Sequence, residues 1–254
     1  MSDPLDGTIL GLPELDRDLA PALPKGWLGL LNAPTDAEAS LLAKQFAARA
    51  TPAAPAVFYT TYERTEDVQS TFRGLGWDPT PLRIVNLAEE YFVHVLSPRL
   101  EVSRIRERGL VLADLASGTL PGEARAPFNL TNRILSDIAG LDRPFRLVLD
   151  SLDFLLEVLD LPEVLTIARQ TRHRAQALGA QALLVVHSEI HERRASGLLE
   201  EMADLVLELD AQPDGTRYEH RLALRKVRNH PELKRTAIVR ITPNGFALAG
   251  PGRP

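Results

Sequence analysis

The chain of 254 residues has no cysteine, and aromatic residues make up 6% of it. Without cysteine there is no disulfide framework, no thiolate metal site and no thiol nucleophile. With two tryptophans and four tyrosines, no paired aromatic and basic pattern suggests stacking of nucleic-acid bases. A net charge of −5 argues further against general affinity for nucleic acid, which needs a cationic surface. No apolar run approaches the ~20 residues of a membrane span. The opening Met1-Ser-Asp-Pro-Leu-Asp6 lacks the basic-then-apolar pattern of a signal peptide. A cytoplasmic protein without a membrane partner is expected.

What is present is an ordinary globular composition, 44% hydrophobic and 25% charged, on a chain long enough to bury a substantial core. Four short runs, 27–31, 56–60, 145–149 and 182–187, are apolar throughout rather than alternating. This is the pattern of parallel strands covered on both faces; 82–87 is a weaker fifth. Helical patterns separate them at 37–50, 66–75, 130–139 and 162–178. In the first, Leu41, Leu42 and Phe46 form the inner face, with Gln45 and Arg49 outside. Thr65 is read as the cap of the second. The last starts at Pro162 and stops at Gly179, the expected asymmetry of helix ends. After Met202 the grammar changes to strands at 205–209, 219–227, 237–241 and 246–248, with turn signals at Pro213-Asp-Gly215 and Pro243-Asn-Gly245. The prediction is one α/β domain over 1–254. Its central sheet is mostly parallel and flanked by helices, and antiparallel hairpins extend it over about 205–250. Residues 88–127 are the least readable; the charged stretch 98–109 is read as a solvated helix, with a partner-binding patch as the alternative.

Residues 27–46 read as buried strand, tight loop and helix, the arrangement in which a phosphate-binding loop sits. The loop lacks the chemistry. Between Asn32 and Ser40 there is no glycine to let backbone N–H groups turn inward, and no lysine. Thr35-Asp-Ala-Glu38 instead fits a helix capping box, with Asp36 and Glu38 suited to the positive end of the helix dipole.

Five stretches, in this order, resemble the KaiC-like branch of the RecA ATPase superfamily. They are Gly11-Leu-Pro-Glu-Leu-Asp16 with Leu23-Pro-Lys-Gly26; Val57-Phe-Tyr-Thr-Thr-Tyr-Glu-Arg64 followed by Gly74-Leu-Gly-Trp-Asp78; Arg146-Leu-Val-Leu-Asp150-Ser-Leu152; Leu224-Arg-Lys-Val-Arg228; and Pro243-Asn-Gly-Phe246. The resemblance covers nearly the whole chain and implies a RecA-like P-loop NTPase fold. Under it the Walker A lysine is replaced by Glu38 and the following hydroxyl by Ala39. The preceding glycines become Thr35 and Ala37, and Ser40 keeps a hydroxyl one place late. Lysine to glutamate reverses a charge facing an anion, and one unit pair at 4 Å is worth about 4 kcal/mol at an effective dielectric of ~20. Asp150 matches the Walker B aspartate, which would stand near magnesium if nucleotide binds. Glu63 matches the first of two catalytic glutamates, the second being Arg64. An ion pair of Arg64 with Glu38 or Asp36 is one expectation.

The resemblance thus implies a non-catalytic homologue acting as a regulatory or assembly subunit in signalling, with no cofactor and no metal. Lys226 and Arg228 are the interface candidates: they alternate on one strand and would meet a second copy or an active KaiC-like paralogue, the plain alternative being a solvated strand face. Two rival functions stay open. One is an atypical ATPase using ATP and magnesium at Asp150 with Glu63 orienting water; the other is a DNA-recombination accessory. His187 and His191 lie four apart but at a strand end rather than mid-helix, which disfavours a metal site.

Overall fold

The computed structural model describes residues 7–100, 103, 128–187, 189–190, 193–214 and 217–249. In the described residues nine strands form one sheet: β1 (Trp27–Ala33), β2 (Ala56–Thr60), β3 (Leu82–Asn86), β4 (Arg146–Asp150), β5 (Gln181–His187), β6 (Leu205–Asp214), β7 (Arg217–Val227), β8 (Arg235–Thr242) and β9 (Gly245–Leu248). Their spatial order is β3-β2-β4-β5-β1-β6-β7-β8-β9. Pairing is parallel from β3 across to β6 and antiparallel from β6 to β9. The helices are α1 (Pro13–Ala22), α2 (Ala39–Ala47), α3 (Thr65–Gly74), α4 (Leu87–Tyr91), α5 (Leu130–Ala139), α6 (Leu152–Val158), α7 (Leu161–Leu178) and α8 (Arg193–Met202). Of the charged stretch 98–109, residues 98–100 and 103 are described, helical and exposed, as expected, and the rest lies outside the described residues.

Strand alternation explains the two cores. Trp27 and Leu31 of β1, Phe58 of β2, Val148 of β4, and Leu183 and Val185 of β5 face one side, where α1, α2 and α3 contribute Leu15, Leu19, Leu42, Phe46 and Phe72. Leu28 and Leu30, Val57 and Tyr59, Leu147 and Leu149, and Leu184 and Val186 face the other, against Ile134, Leu155, Ile167 and Leu199. Strands buried on both faces are apolar throughout, which is why they stand out in the sequence.

Several expected boundaries move. β1 runs to Ala33, and β6 continues through Pro213, where a turn is expected. Asp214 pairs with Arg217, and the hairpin tip falls outside the described residues. Arg64, not Thr65, is the N-cap residue of α3, and it makes no side-chain cap bond. In α2, Gln45 is buried rather than outside. Its Nε2 donates to the Leu10 carbonyl (3.0 Å) and the Phe246 carbonyl (3.1 Å), and its Oε1 accepts from Phe246 N–H (2.6 Å). An amide placed among backbone groups from two other segments satisfies them all, so its polarity does not force it outward.

Arg146, fully buried at the start of β4, donates to the carbonyls of Thr8, Ile9 and Phe46 and lies over the Phe46 ring. Burial pulls its guanidinium down to about 9, against the attraction of Asp16. It fastens the segment before α1 to the sheet. Just before β1, Gly26 packs so closely on α7 that a Cβ there would lie 2.2 Å from the Ala175 carbonyl oxygen, whereas at Gly197, inside α8, a Cβ would meet nothing within 4 Å. Gly26→Ala is therefore expected to lower unfolding stability by about 2 kcal/mol or more through backbone displacement. Gly197→Ala should raise it by about 0.5–1 kcal/mol, because an exposed helical glycine costs chain entropy. Paired denaturant titrations check both signs.

Candidate nucleotide-site region

The carboxyl ends of parallel strands are where α/β sheets place ligands, and four elements meet there. The turn after β2 is held by Thr60, whose Oγ1 donates to the Glu63 carbonyl (3.0 Å) and accepts from Glu63 N–H (3.1 Å). This aims the Glu63 carboxylate at α2. Ser40 and Lys44 stand one turn apart on α2 and so share a face. Ser40 Oγ lies 2.9 Å from Glu63 Oε1 and 2.6 Å from Asp150 Oδ2 at the end of β4. Lys44 Nζ lies 2.5 Å from Glu63 Oε1, its side chain 6% exposed. Burial pushes the Asp150 carboxyl above the usual carboxylate range; the Ser40 hydrogen bond and the Lys44 charge oppose that rise, and Glu63 adds to it. The end of β4 is fixed in turn by Thr61, whose N–H and Oγ1 donate to the Asp150 carbonyl at 2.9 and 3.1 Å.

Sequence reasoning brought Ser40, Glu63 and Asp150 to this region but missed Lys44. The signal was its position four residues after Ser40. It was passed over because a lysine on a helix ordinarily reads as solvated.

The loop 34–38 departs from expectation. Glu38 has φ 58° and ψ 36°, the left-handed region, and α2 begins only at Ala39. A capping box needs Thr35 as N-cap and helical residues after it, so no box forms here. The bond that closes the loop runs from Ala37 N–H to the Pro34 carbonyl (3.3 Å). Thr35, Asp36 and Glu38 are exposed. Among the described residues Arg64 makes no ion pair with Asp36 or Glu38; Lys44 is the cation that engages Glu63.

Ser40 and Asp150 offer oxygen atoms of the kind magnesium takes, whereas the loop 34–38 offers a triphosphate no cation of its own. Asp36, Glu38, Glu63 and Asp150 set four carboxyl groups against the one ammonium of Lys44, which is already paired. At the end of β1 the buried Asn32 donates through Nδ2 to Glu200 (2.9 Å), and its Oδ1 is left without a partner. That orphan is an acceptor, which a phosphate oxygen cannot satisfy. Among the described residues no group of three or more His, Asp or Glu is arranged to hold a metal ion.

Lys226 and Arg228 do point one way, but onto their own chain. Lys226 Nζ donates to the Glu200 (2.6 Å) and Glu201 (3.1 Å) carbonyls at the end of α8. Arg228 donates to the Glu201, Met202 and Ala203 carbonyls and, through Nε, to Asp204 Oδ1 (2.6 Å). Asp204 is 1% exposed and also pairs with Arg172 (2.9 Å). Both cations therefore cap the carbonyl end of α8, where positive charge is favoured.

Beside Asp150, His187 Nδ1 lies 2.5 Å from Asp153 Oδ2, and Ser151 Oγ donates to the same oxygen. His191 lies outside the described residues. The serine is not in reach of the imidazole as its base would be, so this is no nucleophilic triad.

With this geometry in view, the wider comparisons place the chain. Its fold is that of a KaiC-like protein from the hyperthermophilic archaeon Pyrococcus horikoshii OT3, with a TM-score of 0.60 and 18% identity over 95% of this chain and 98% of that one. The family model described as "ATPase: KaiC" matches residues 9–251, and the chain belongs to that family. No curated protein matches it. No helix among the described residues is long and apolar enough to cross a membrane.

The hydrogen bond to Asp153 raises the His187 pKa above its ordinary value, with burial opposing. For Asp153, burial raises the pKa, but the bonds from His187 and Ser151 outweigh it and the carboxyl lies below its ordinary value. The raised histidine stabilises the fold fully below about pH 6.5 and ceases to as pH rises through its folded value; the depressed aspartate contributes above about pH 3.9 and is lost as pH falls. The difference in urea midpoint between the native protein and His187→Gln is thus expected to shrink as pH rises above about 6.5. A pH-independent difference would show that the pair does not carry charge.

Proposed function

We propose that this KaiC-family domain turns over no nucleotide and serves as a regulatory or assembly subunit, associating with a second copy of itself or an active paralogue. The observation that carries this reading is that the site's groups engage one another: Lys44 and Ser40 meet Glu63 Oε1, and Ser40 also meets Asp150 Oδ2. The Lys44 ammonium, the cation of this cluster, is already paired with Glu63. An arriving triphosphate would have to break that pair and approach Asp36 and Glu38. Each unfavourable unit pair costs about 4 kcal/mol at 4 Å and an effective dielectric of ~20. The Glu63 Oε1 that would orient a water is engaged by Lys44 and Ser40.

A second reading, an atypical nucleotide-binding member, has one observation in its favour. Ser40 and Asp150 keep a hydroxyl-to-carboxylate contact of 2.6 Å at the head of a helix. The same experiment separates the two. Calorimetric titration of the native protein with ATP and magnesium is expected to give no binding heat up to millimolar concentration, with Glu38→Lys run alongside to restore one cation to the loop. Binding by the native protein in the micromolar range overturns the first reading. For the association itself, sedimentation of the protein alone and mixed with a KaiC-like paralogue is expected to reveal a complex whose amount is unchanged by ATP.

A further inference from the structure

A cavity of ≈ 490 Å³ opens at the same edge of the sheet, between the turn after β2, the start of α4 and the end of α6; Glu63 contributes to its wall, but the cavity plays no part in the closed cluster. Its character differs from that of its neighbour. Four aromatic rings line it: Tyr62, Tyr91, Phe92 and Phe154. Tyr91 and Phe154 meet edge to face, with centroids 5.7 Å apart and planes at 82°, making a rigid wall. Tyr62 is 66% exposed and Phe92 51%. In a chain with so few aromatic residues, two large rings left to solvent beside a cavity are the surface most in need of a partner.

The charges narrow the partner. Glu89 and Glu157 line the cavity, are exposed, and form no ion pair among the described residues. Glu63 is already matched by Lys44. Among the described residues Arg64 is the one cation in the lining. The negative field is felt at the Tyr62 phenol, which burial raises above its ordinary pKa and Asp153 and Glu157 raise further. Aromatic faces attract organic cations, and carboxylates beside them complete the recognition of a guanidinium or ammonium on an apolar stem. A nucleic acid, the other ligand that stacks on aromatic rings, would bring phosphates against these carboxylates.

We propose that this cavity docks a lysine or arginine side chain presented by a basic segment of a partner polypeptide, its stem on the rings of Tyr62 and Phe92 and its charge at Glu89 and Glu157. The proposal goes beyond the nucleotide question and holds whether or not ATP binds.

The test is a selection of random dodecapeptides displayed on phage against the full-length protein. The leading peptide is then synthesised and titrated by fluorescence anisotropy. The expected result is enrichment of Lys or Arg flanked by apolar residues. Glu157→Lys and Glu89→Lys should each weaken the titrated peptide about tenfold or more, with binding also falling as salt rises. Tyr62→Ala and Phe92→Ala should weaken it comparably. All four side chains are exposed, so thermal unfolding by circular dichroism should be unchanged, which separates lost docking from lost folding. The proposal is overturned if no peptide is enriched, as when the chain itself fills the cavity. Enrichment of acidic peptides, or affinity indifferent to Glu157→Lys, overturns it equally. So does binding of an oligothymidylate that the aromatic variants abolish.

Discussion

A lysine ammonium taken out of water must find an anion, because an unpaired buried charge costs several kcal/mol. In this protein that requirement organises the head of the sheet. Lys44 is fixed on α2 by the packing of Leu42, Phe46 and Ala47 on the core, and its ammonium can be satisfied only if Glu63 comes to it. Glu63 can come because Thr60 folds the chain back on itself immediately after β2. One turn before the lysine, Ser40 then bonds both Glu63 and Asp150. The ends of β2 and β4 are thereby joined through α2.

The parallel strands were legible in the sequence because burial on both faces removes polar residues from them, and hydrophobicity then marks them without any alternation. The polar residues of α2 were not legible, for the complementary reason. Helical periodicity sorts residues into inner and outer faces, and polar ones are assigned outward. Gln45 and Lys44 are inside because each meets a specific partner far along the chain, Phe246 and Glu63, which no local pattern announces. Thr35-Asp-Ala-Glu38 carried the letters of a capping box, yet a left-handed Glu38 starts the helix after it. The shared direction of Lys226 and Arg228 followed from strand geometry. That their hydrogen bonds go to α8 depended on α8 itself, which is not among the helical patterns read from the sequence.

Membership of the KaiC family and the state of this site are different kinds of statement. The family match runs along the chain because the sheet, its crossovers and its hairpins are maintained by packing, which tolerates many sequences. The chemistry rests on a few positions, which such a match does not test. Buried Asp204, gathered between Arg172 and Arg228, shows the same habit as the pair of Lys44 and Glu63. Ionic groups in this protein are used to join elements distant in sequence.

The final hairpin, β8 with β9, has a standing in the fold that its place at the edge of the sheet conceals. Phe246 in β9 both donates to and accepts from Gln45, and Trp77 Nε1 reaches the Asn244 carbonyl at 3.3 Å. Gly245 lies so close that a Cβ would come 2.4 Å from the Gln45 amide oxygen. Gln45 is the residue next to Lys44. β9 is thus the backing plate of the helix that carries Ser40 and Lys44. On the ribosome, α2 therefore lacks part of its setting until Phe246 of β9, 201 residues beyond Gln45, has emerged.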